Sequence, residues 1–278
     1  MPYASKYRFR WGRYCIVVEN ADNGLVDTVA SYLSLEKPDR VDALSPDLIV
    51  SEARGFFRVN AARQTLEYAS KEDLLIGLTT LISAEFCNKA SDQALLHAGA
   101  IVNDEQAILF SGAAYSGKST LALNALQQGA TVVGDDWLLY EPNTAVVQAV
   151  PKAIKPRMTR AEAKEAIRTM PAINTTFGLL NGETRLMVSR GKGFFNDYAS
   201  SLPIRLLAFI ERGGETAIHS ISKPEALKMI LEQTIINERR LHLQGVRLLN
   251  ALQHDRQVCR LVIGKNDSAN ALKMLLAL

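Results

Sequence analysis

Cysteine is scarce in this chain of 278 residues: Cys15, Cys87 and Cys259 are odd in number and far apart. No disulfide framework can be drawn from them, and free thiols in a reducing cytoplasm are the expectation. Neither a CxxC nor a Cys/His cluster occurs, which sets aside a zinc site. A dominant charge of one sign is also lacking. Thirty-two basic residues face 29 acidic ones, for a net charge of +3. A dedicated nucleic-acid binder carries a strong basic stripe, so no nucleic-acid partner is expected. No stretch reaches about 18 uninterrupted apolar residues, so no membrane span is expected. The opening MPYASKYRFRWGRYC is basic and aromatic. It lacks the apolar stretch of a secretory signal and reads as an exposed edge strand rather than a membrane-surface anchor. Internal repeats and low-complexity tracts are missing too.

The chain does hold enough apolar residues, 47%, to bury a core without staples in one large domain or two modest ones. Residues 8–18 suggest a short strand pair, and Gly24–Leu35 has helical apolar spacing. Leu48–Ser51, Phe56–Val59 and Ala62–Tyr68 read as strands. Lys71–Lys89 predicts an amphipathic helix with Leu74, Leu75, Leu78, Leu81, Ile82 and Phe86 on one face. Ser91-Asp92 marks a break, so residues 1–90 are expected to form a small N-terminal α+β domain and 91–278 a second domain. Beyond the break, Leu95–Val102 and Ala107–Ser111 are apolar strands and Lys118–Gln128 a helix stopped by Gly129. Thr131–Val133 is the next buried strand. Trp137–Tyr140 and Thr144–Val150 suggest a hairpin around Pro142-Asn143. Further on, Thr159–Arg168 predicts a helix capped by Thr159. Ile173–Asn196 reads as loop with a short strand near Arg185–Val188. Ile204–Glu211 and Val258–Ile263 read as strands, and Lys223–Glu238 and Ser268–Leu278 as helices.

One segment carries recognisable chemistry. Gly112-Ala113-Ala114-Tyr115-Ser116-Gly117-Lys118-Ser119 satisfies G-x-x-x-x-G-K-[ST] between an apolar strand and an amphipathic helix. Glycine lets the backbone approach phosphates closely, and successive N–H groups form an anion nest backed by the helix dipole. Lys118 is suited to bridge the β- and γ-phosphates and Ser119 to ligate Mg2+, with Thr120 completing the nucleotide-binding stretch. ATP and Mg2+ are therefore the expected ligands.

Asp135 and Asp136 end the next apolar strand. Adjacent carboxylates repel, and a bound Mg2+ would relieve that repulsion. In extended chain, neighbours point to opposite faces. One can therefore serve the metal and the other accept a proton from an attacking hydroxyl.

Four pieces taken together resemble a known family. Leu96-His97-Ala98-Gly99-Ala100, Ile108-Leu109-Phe110-Ser111-Gly112, Ser116-Gly117-Lys118-Ser119-Thr120-Leu121-Ala122 and Gly129 with Val133-Gly134-Asp135-Asp136 are similar, in order and spacing, to the HPr kinase/phosphorylase-type catalytic domain. The match covers about residues 95–141. The first ninety residues look more like those of compact relatives, some of which phosphorylate a serine in lasso peptide precursors. The resemblance implies an α/β fold: a P-loop kinase domain of HPr-kinase and phosphoenolpyruvate-carboxykinase-like type over 91–278. It implies an ATP- and Mg-dependent transfer of the γ-phosphoryl group to a serine of a protein or peptide acceptor. It assigns Asp135 as base, Asp136 and Ser119 to the metal, and His97 a place beside the site. A cytoplasmic location follows, and a homo-oligomer is compatible with it. The family's second signature, Glu-x-Arg-Gly-x-Gly, has only Val188-Ser189-Arg190-Gly191-Lys192-Gly193 as a counterpart, with valine at the acidic position. That departure puts a reverse phosphorylase reaction in doubt. Lys155 and Arg157 are the basic residues expected to reach the γ-phosphate, with Arg205, Arg212 and the Arg239-Arg240 pair as further candidates. A kinase of a small-molecule hydroxyl and a non-catalytic ATP-binding regulatory module remain alternatives. The chain holds no LSGGQ-like string, which disfavours a transport-type ATPase.

Overall fold

The computed structural model describes residues 5–20, 22–53, 55–62, 64–90, 94–141, 143–170, 175–235, 241–252 and 258–278. Ser91-Asp92, Pro142, the opening of Ile173–Asn196, the end of Lys223–Glu238 and the Arg239-Arg240 pair lie outside the described residues. The chain packs as two compact units, residues 1–90 with 151–192 and residues 91–150 with 193–278.

The first unit begins with strands β1 (Ser5–Trp11) and β2 (Tyr14–Asn20), an antiparallel hairpin turned at Gly12, whose φ is +54°. Helix α1 (Asn23–Leu33) follows, capped by the Asp22 carboxylate on the Leu25 N–H. Strands β3 (Asp39–Arg40), β4 (Leu48–Ala53), β5 (Phe56–Ala61) and β6 (Gln64–Tyr68) complete a six-stranded sheet in the order β3-β1-β2-β4-β5-β6. Helix α2 (Lys71–Lys89) starts where the Ser70 hydroxyl accepts from the Asp73 N–H, and Glu72 and Asp73 suit its positive end. It differs from a one-faced amphipathic helix: Ile76, Gly77, Thr79 and Ser83 are buried along with the expected leucines. The reason is a second layer. Thr79 and Ser83 hydroxyls bond back to carbonyls one turn earlier, so these polar residues can face packed chain.

The second unit opens with β7 (Ala94–Leu96), β8 (Ala98–Asn103) and β9 (Gln106–Ser111), then α3 (Lys118–Gln127), β10 (Val132–Gly134), β11 (Leu138–Glu141) and β12 (Val146–Ala149). The expected single strand over Leu95–Val102 is thus two strands parted at His97. From Pro151 the chain belongs to the first unit, contributing α4 (Arg160–Thr169), β13 (Thr175–Leu180) and β14 (Glu183–Val188). Thr159 and Glu162 form a capping box on α4. Strand β13 packs on α2, and the Arg190 N–H donates to Tyr32 O at 3.1 Å. The linear division at residue 90 therefore differs from the packing, which returns 151–192 to the N-terminal residues. The short strand expected near Arg185–Val188 is present as β14, and where loop was expected before it β13 pairs with it in a tight hairpin. Asn181 and Gly182 take φ of +53° and +77°, the two-residue turn that suits twisted strands.

The remaining elements are β15 (Leu202–Arg212), β16 (Ala217–Ser220), α5 (Lys223–Gln233), β17 (Thr234–Ile235), α6 (Leu241–Ala251), β18 (Val258–Ile263) and α7 (Ser268–Leu276). They complete a mixed sheet in the order β10-β8-β9-β15-β12-β11-β7-β17, with β18 joining β15 and β16. Strand β15 is long enough to take β12 beside its first residues and β18 beside its last six. Ile108, Leu109, Phe110, Ala208 and Phe209 are buried at its centre. Among the described residues no helix is long and apolar enough to cross a membrane. The three cysteines are free, and burial pushes the Cys87 thiol up to about 12 and Cys259 to about 11, which leaves little reactive thiolate.

Candidate functional site

Strand directions decide what meets at one edge of the second unit's sheet. Strand β9 runs parallel to β15 and antiparallel to β8, and β10 is antiparallel to β8. The carboxyl ends of β9, β10 and β15 and the start of β8 therefore share an edge. Ser111 pairs with Ala98, Gly134 with Ala100, and Phe209 with Ser111. The Gly112–Gly117 loop, His97, the Asp135-Asp136 pair and Arg212 all sit on that edge. The carboxyl edge of parallel strands is where α/β sheets hold ligands.

The loop is shaped by contacts that admit little else. Gly117 precedes α3 at φ +108°, and no side chain caps the helix. A Cβ at Gly117 would stand 2.5 Å from Arg212 Nη2, and one at Gly112 would run into Ile210 O and stand 2.9 Å from Ser116 Oγ. Glycine is therefore favoured at Gly112 by the backbone of Ile210 and at Gly117 by its positive φ. The Ser116 hydroxyl is buried and lacks a hydrogen-bond partner among the described residues. Tyr115 takes φ +67° with its ring in solvent.

Lys118 is buried, and its ammonium donates to Gly112 O at 2.5 Å and Ala113 O at 3.2 Å. Burial pulls its pKa from 10.5 to about 8, while the Asp135 charge pulls the other way. Asp135 is itself buried. Asp136 is half-exposed and its Oδ1 lies 2.9 Å from His97 Nε2. The Ser111 hydroxyl donates to His97 O at 2.8 Å, which ties the histidine's backbone to the end of β9. Ser119 is half-buried and Thr120 exposed in the first turn of α3.

Two expected site residues are not among the second unit's residues. Lys155 and Arg157 belong to the first unit. The Lys155 ammonium donates to Ile76 O, Thr79 Oγ1 and Thr80 Oγ1 at 2.9, 2.7 and 2.5 Å, which uses its three hydrogens. Arg157 Nε pairs with Glu183 at 2.6 Å. Their cations are engaged within that unit. Arg205 pairs with Asp104 at 3.2 Å. Arg212 is exposed, makes no ion pair among the described residues, and lies against Gly117. Its signal in the sequence was faint: an arginine just past the last apolar residue of a strand. The His97–Asp136 pair had no local signal, because strand pairing brings it together. Among the described residues no group of three His, Cys, Asp or Glu side chains is poised to hold a metal alone.

No family model and no curated protein matches the chain. Among solved structures it is similar to the Hpr(Ser) kinase/phosphatase from Coxiella burnetii, at 14% sequence identity and a TM-score of 0.31, over 66% of this chain and 93% of that one. Likeness at that level is distant and assigns no activity.

Proposed function

We propose that the chain is an ATP- and Mg2+-dependent kinase that moves the γ-phosphoryl group to a hydroxyl, a serine of a protein or peptide being the acceptor. The observation that carries this reading is the convergence on one sheet edge of a phosphate loop, a buried lysine, an arginine with no ion pair among the described residues and two carboxylates. The residues fit a triphosphate. Gly112 leaves no room for a Cβ and Gly117 holds a positive φ, the Ser116 hydroxyl has a hydrogen to give, and Lys118 and Arg212 bring two positive charges to the loop. They also fit Mg2+, which binds through one or two carboxylates plus phosphate rather than in an all-protein cage. Ser119 and one aspartate would hold it. When bound, the ion supplies neutralisation of charge on the phosphates.

The two aspartates take roles opposite to those implied by the resemblance. Asp135 is buried and electrostatically linked to Lys118, which suits the metal and phosphate side. Asp136 is reachable from solvent and hydrogen-bonded to His97, which suits the proton of an incoming hydroxyl. In this arrangement Asp136 orients the hydroxyl and His97 holds the carboxylate in place. Lys118 and Arg212 stabilise negative charge as the phosphoryl group moves.

The test is incubation with Mg2+ and γ-labelled ATP, with and without extract of the protein's own cells. Label in a protein or peptide, absent with Lys118→Ala, is expected. Asp136→Asn should keep Mg-ATP binding and lose transfer, whereas Asp135→Asn should weaken Mg-ATP binding. The reverse pattern restores the original order of roles. ATP bound and left intact under every condition sinks the kinase in favour of a regulatory module.

A further inference from the structure

The aspartate pair gives the nucleotide a direction. Along the carboxyl edge of the second unit's sheet the order is β10-β8-β9-β15, with β18 beside the last six residues of β15. Asp135, Asp136 and His97 stand on the β10–β8 side of the phosphate loop, and Arg212 stands on the β15 side. Strand β18 runs parallel to β15 with Ile263 opposite Arg212, so its end opens on the same edge. Two strand spacings, about 10 Å, separate it from β9. The metal and the incoming hydroxyl both work at the γ-phosphate, so the aspartates mark that end of the nucleotide. The α-phosphate and the nucleoside attached to it then leave on the β15–β18 side.

A platform of backbone lies there. Gly213 and Gly214 follow β15, and Gly264 and Lys265 follow β18. The two loops are tied together: the Gly213 N–H donates to Ile263 O at 3.1 Å and the Gly264 N–H to Thr216 Oγ1 at 3.0 Å. A Cβ at Gly264 would stand 3.2 Å from both Gly214 O and Thr216 Oγ1. Gly214 differs: it is exposed, and a Cβ there would meet nothing within 4 Å. The platform is thus preformed, and at Gly213 and Gly214 it carries no side chain. Bare backbone of this kind lets a ligand come close.

We propose that the ribose and base of the bound nucleotide lie over the loops that follow β15 and β18, with Gly213 and Gly214 as the residues that admit them. This rests on the Mg-ATP reading of the phosphate loop. Arg212, placed between the platform and Gly117, then faces the phosphates that stay with the nucleoside, where charge develops as the γ-phosphoryl group departs.

The experiment measures binding to the full chain, with Mg2+, of ATP and of inorganic tripolyphosphate, which shares the phosphates and lacks the nucleoside. The wild type should prefer ATP by about tenfold, the gain from covering part of a base and ribose. Gly214→Leu places a side chain in the open space above the platform, at a residue whose φ lies outside the left-handed region. That variant should lose most of the preference for ATP through weaker ATP binding, with tripolyphosphate held as before. A preference that survives Gly214→Leu overturns the proposal. Equal weakening of both ligands overturns it too, because the loop would then be supporting the phosphate nest. Irradiation of the wild type with an azido-adenine analogue of ATP locates the base without any variant. Attachment within 212–216 or 264–267 is expected. Attachment within 95–100 or 135–141 would mean that the nucleotide runs the other way, and attachment to any other segment would place the base off the platform; either overturns the proposal. Wild-type protein that binds both ligands alike defeats the nucleoside site alone, whereas protein that binds neither defeats the Mg-ATP reading beneath it.

Discussion

Lys118 concentrates the site's electrostatics in one group. Its ammonium is held away from water by the loop that it is proposed to serve, and its pKa falls from 10.5 to about 8. Below about pH 8 the lysine is protonated in both the folded and the unfolded chain, and the fold bears the full cost of burying the charge. Between about 8 and 10.5 the unfolded chain keeps a proton that the fold has released. Stability therefore rises with pH across that window and levels off above it. Lys118→Met has no such proton to lose. We expect the wild-type melting temperature to gain on that of the variant as pH moves through the window, other titrations being common to both proteins. Parallel pH curves would show that the ammonium is better solvated than its burial implies. Phosphate beside the ammonium should oppose the shift, so Mg-ATP should flatten the difference. This residue and its loop were legible in the sequence because the chemistry of G-x-x-x-x-G-K-[ST] is local: eight consecutive residues supply the whole motif. Arg212 was one candidate among several, and only its place at the end of β15 against Gly117 separates it from Arg205, which is spent on Asp104.

At the scale of elements, legibility followed the same rule. Lys71–Lys89 and the strands flanking the loop were readable because their signals, helical apolar spacing and apolar runs, lie within them. Strand β14 was anticipated near Arg185–Val188, but β13 and the hairpin were not, since Gly, Thr and Asn around 175–184 resemble loop composition. The one decisive mark was Asn181-Gly182, a dipeptide at home with positive φ at both positions. Helix α2 likewise concealed its all-round burial, because Thr79 and Ser83 look polar in sequence yet bond within the helix. Gly77 records how tightly it packs: a Cβ there would run into the ring of Tyr68. That ring is buried, and burial pushes its phenol up to about 12. Alanine would ordinarily improve a helix interior by about 1 kcal/mol over glycine. Forcing a methyl against a rigid buried ring typically costs about 1–3 kcal/mol. The clash should win, and Gly77→Ala should lower stability by about 1–2 kcal/mol in urea unfolding. A gain would mean that Tyr68 can swing clear.

For the whole molecule, the organisation least visible in the sequence is the return of residues 151–192 to the first unit. No composition break announces it, since the segment is joined to its unit by packing: β13 lies on α2, Ile154 bridges Val188, and Met187 meets Thr79. A linear reading would cut the chain near residue 90 and keep 91–278 as a free-standing domain. Such a fragment would retain Leu186, Met187 and Val188, all fully buried in the intact chain, without the helix that β13 packs against. Apolar surface left without a partner drives association and dye binding. We expect residues 91–278 alone to bind a hydrophobic dye and to melt broadly or precipitate, while the full chain melts cooperatively. Adding residues 1–90 as a separate chain should suppress the dye signal, because it returns α2. A sharp melt and no dye binding from 91–278 alone would show that its hairpin needs no partner, and the linear division would stand. The choice bears on the candidate site, since β15 and Arg212 follow the returning segment in the chain. Nucleotide-binding assays on a fragment cut at residue 90 would then report on a misfolded strand order rather than on the phosphate loop, and the full chain is the form in which the kinase reading has to be tried.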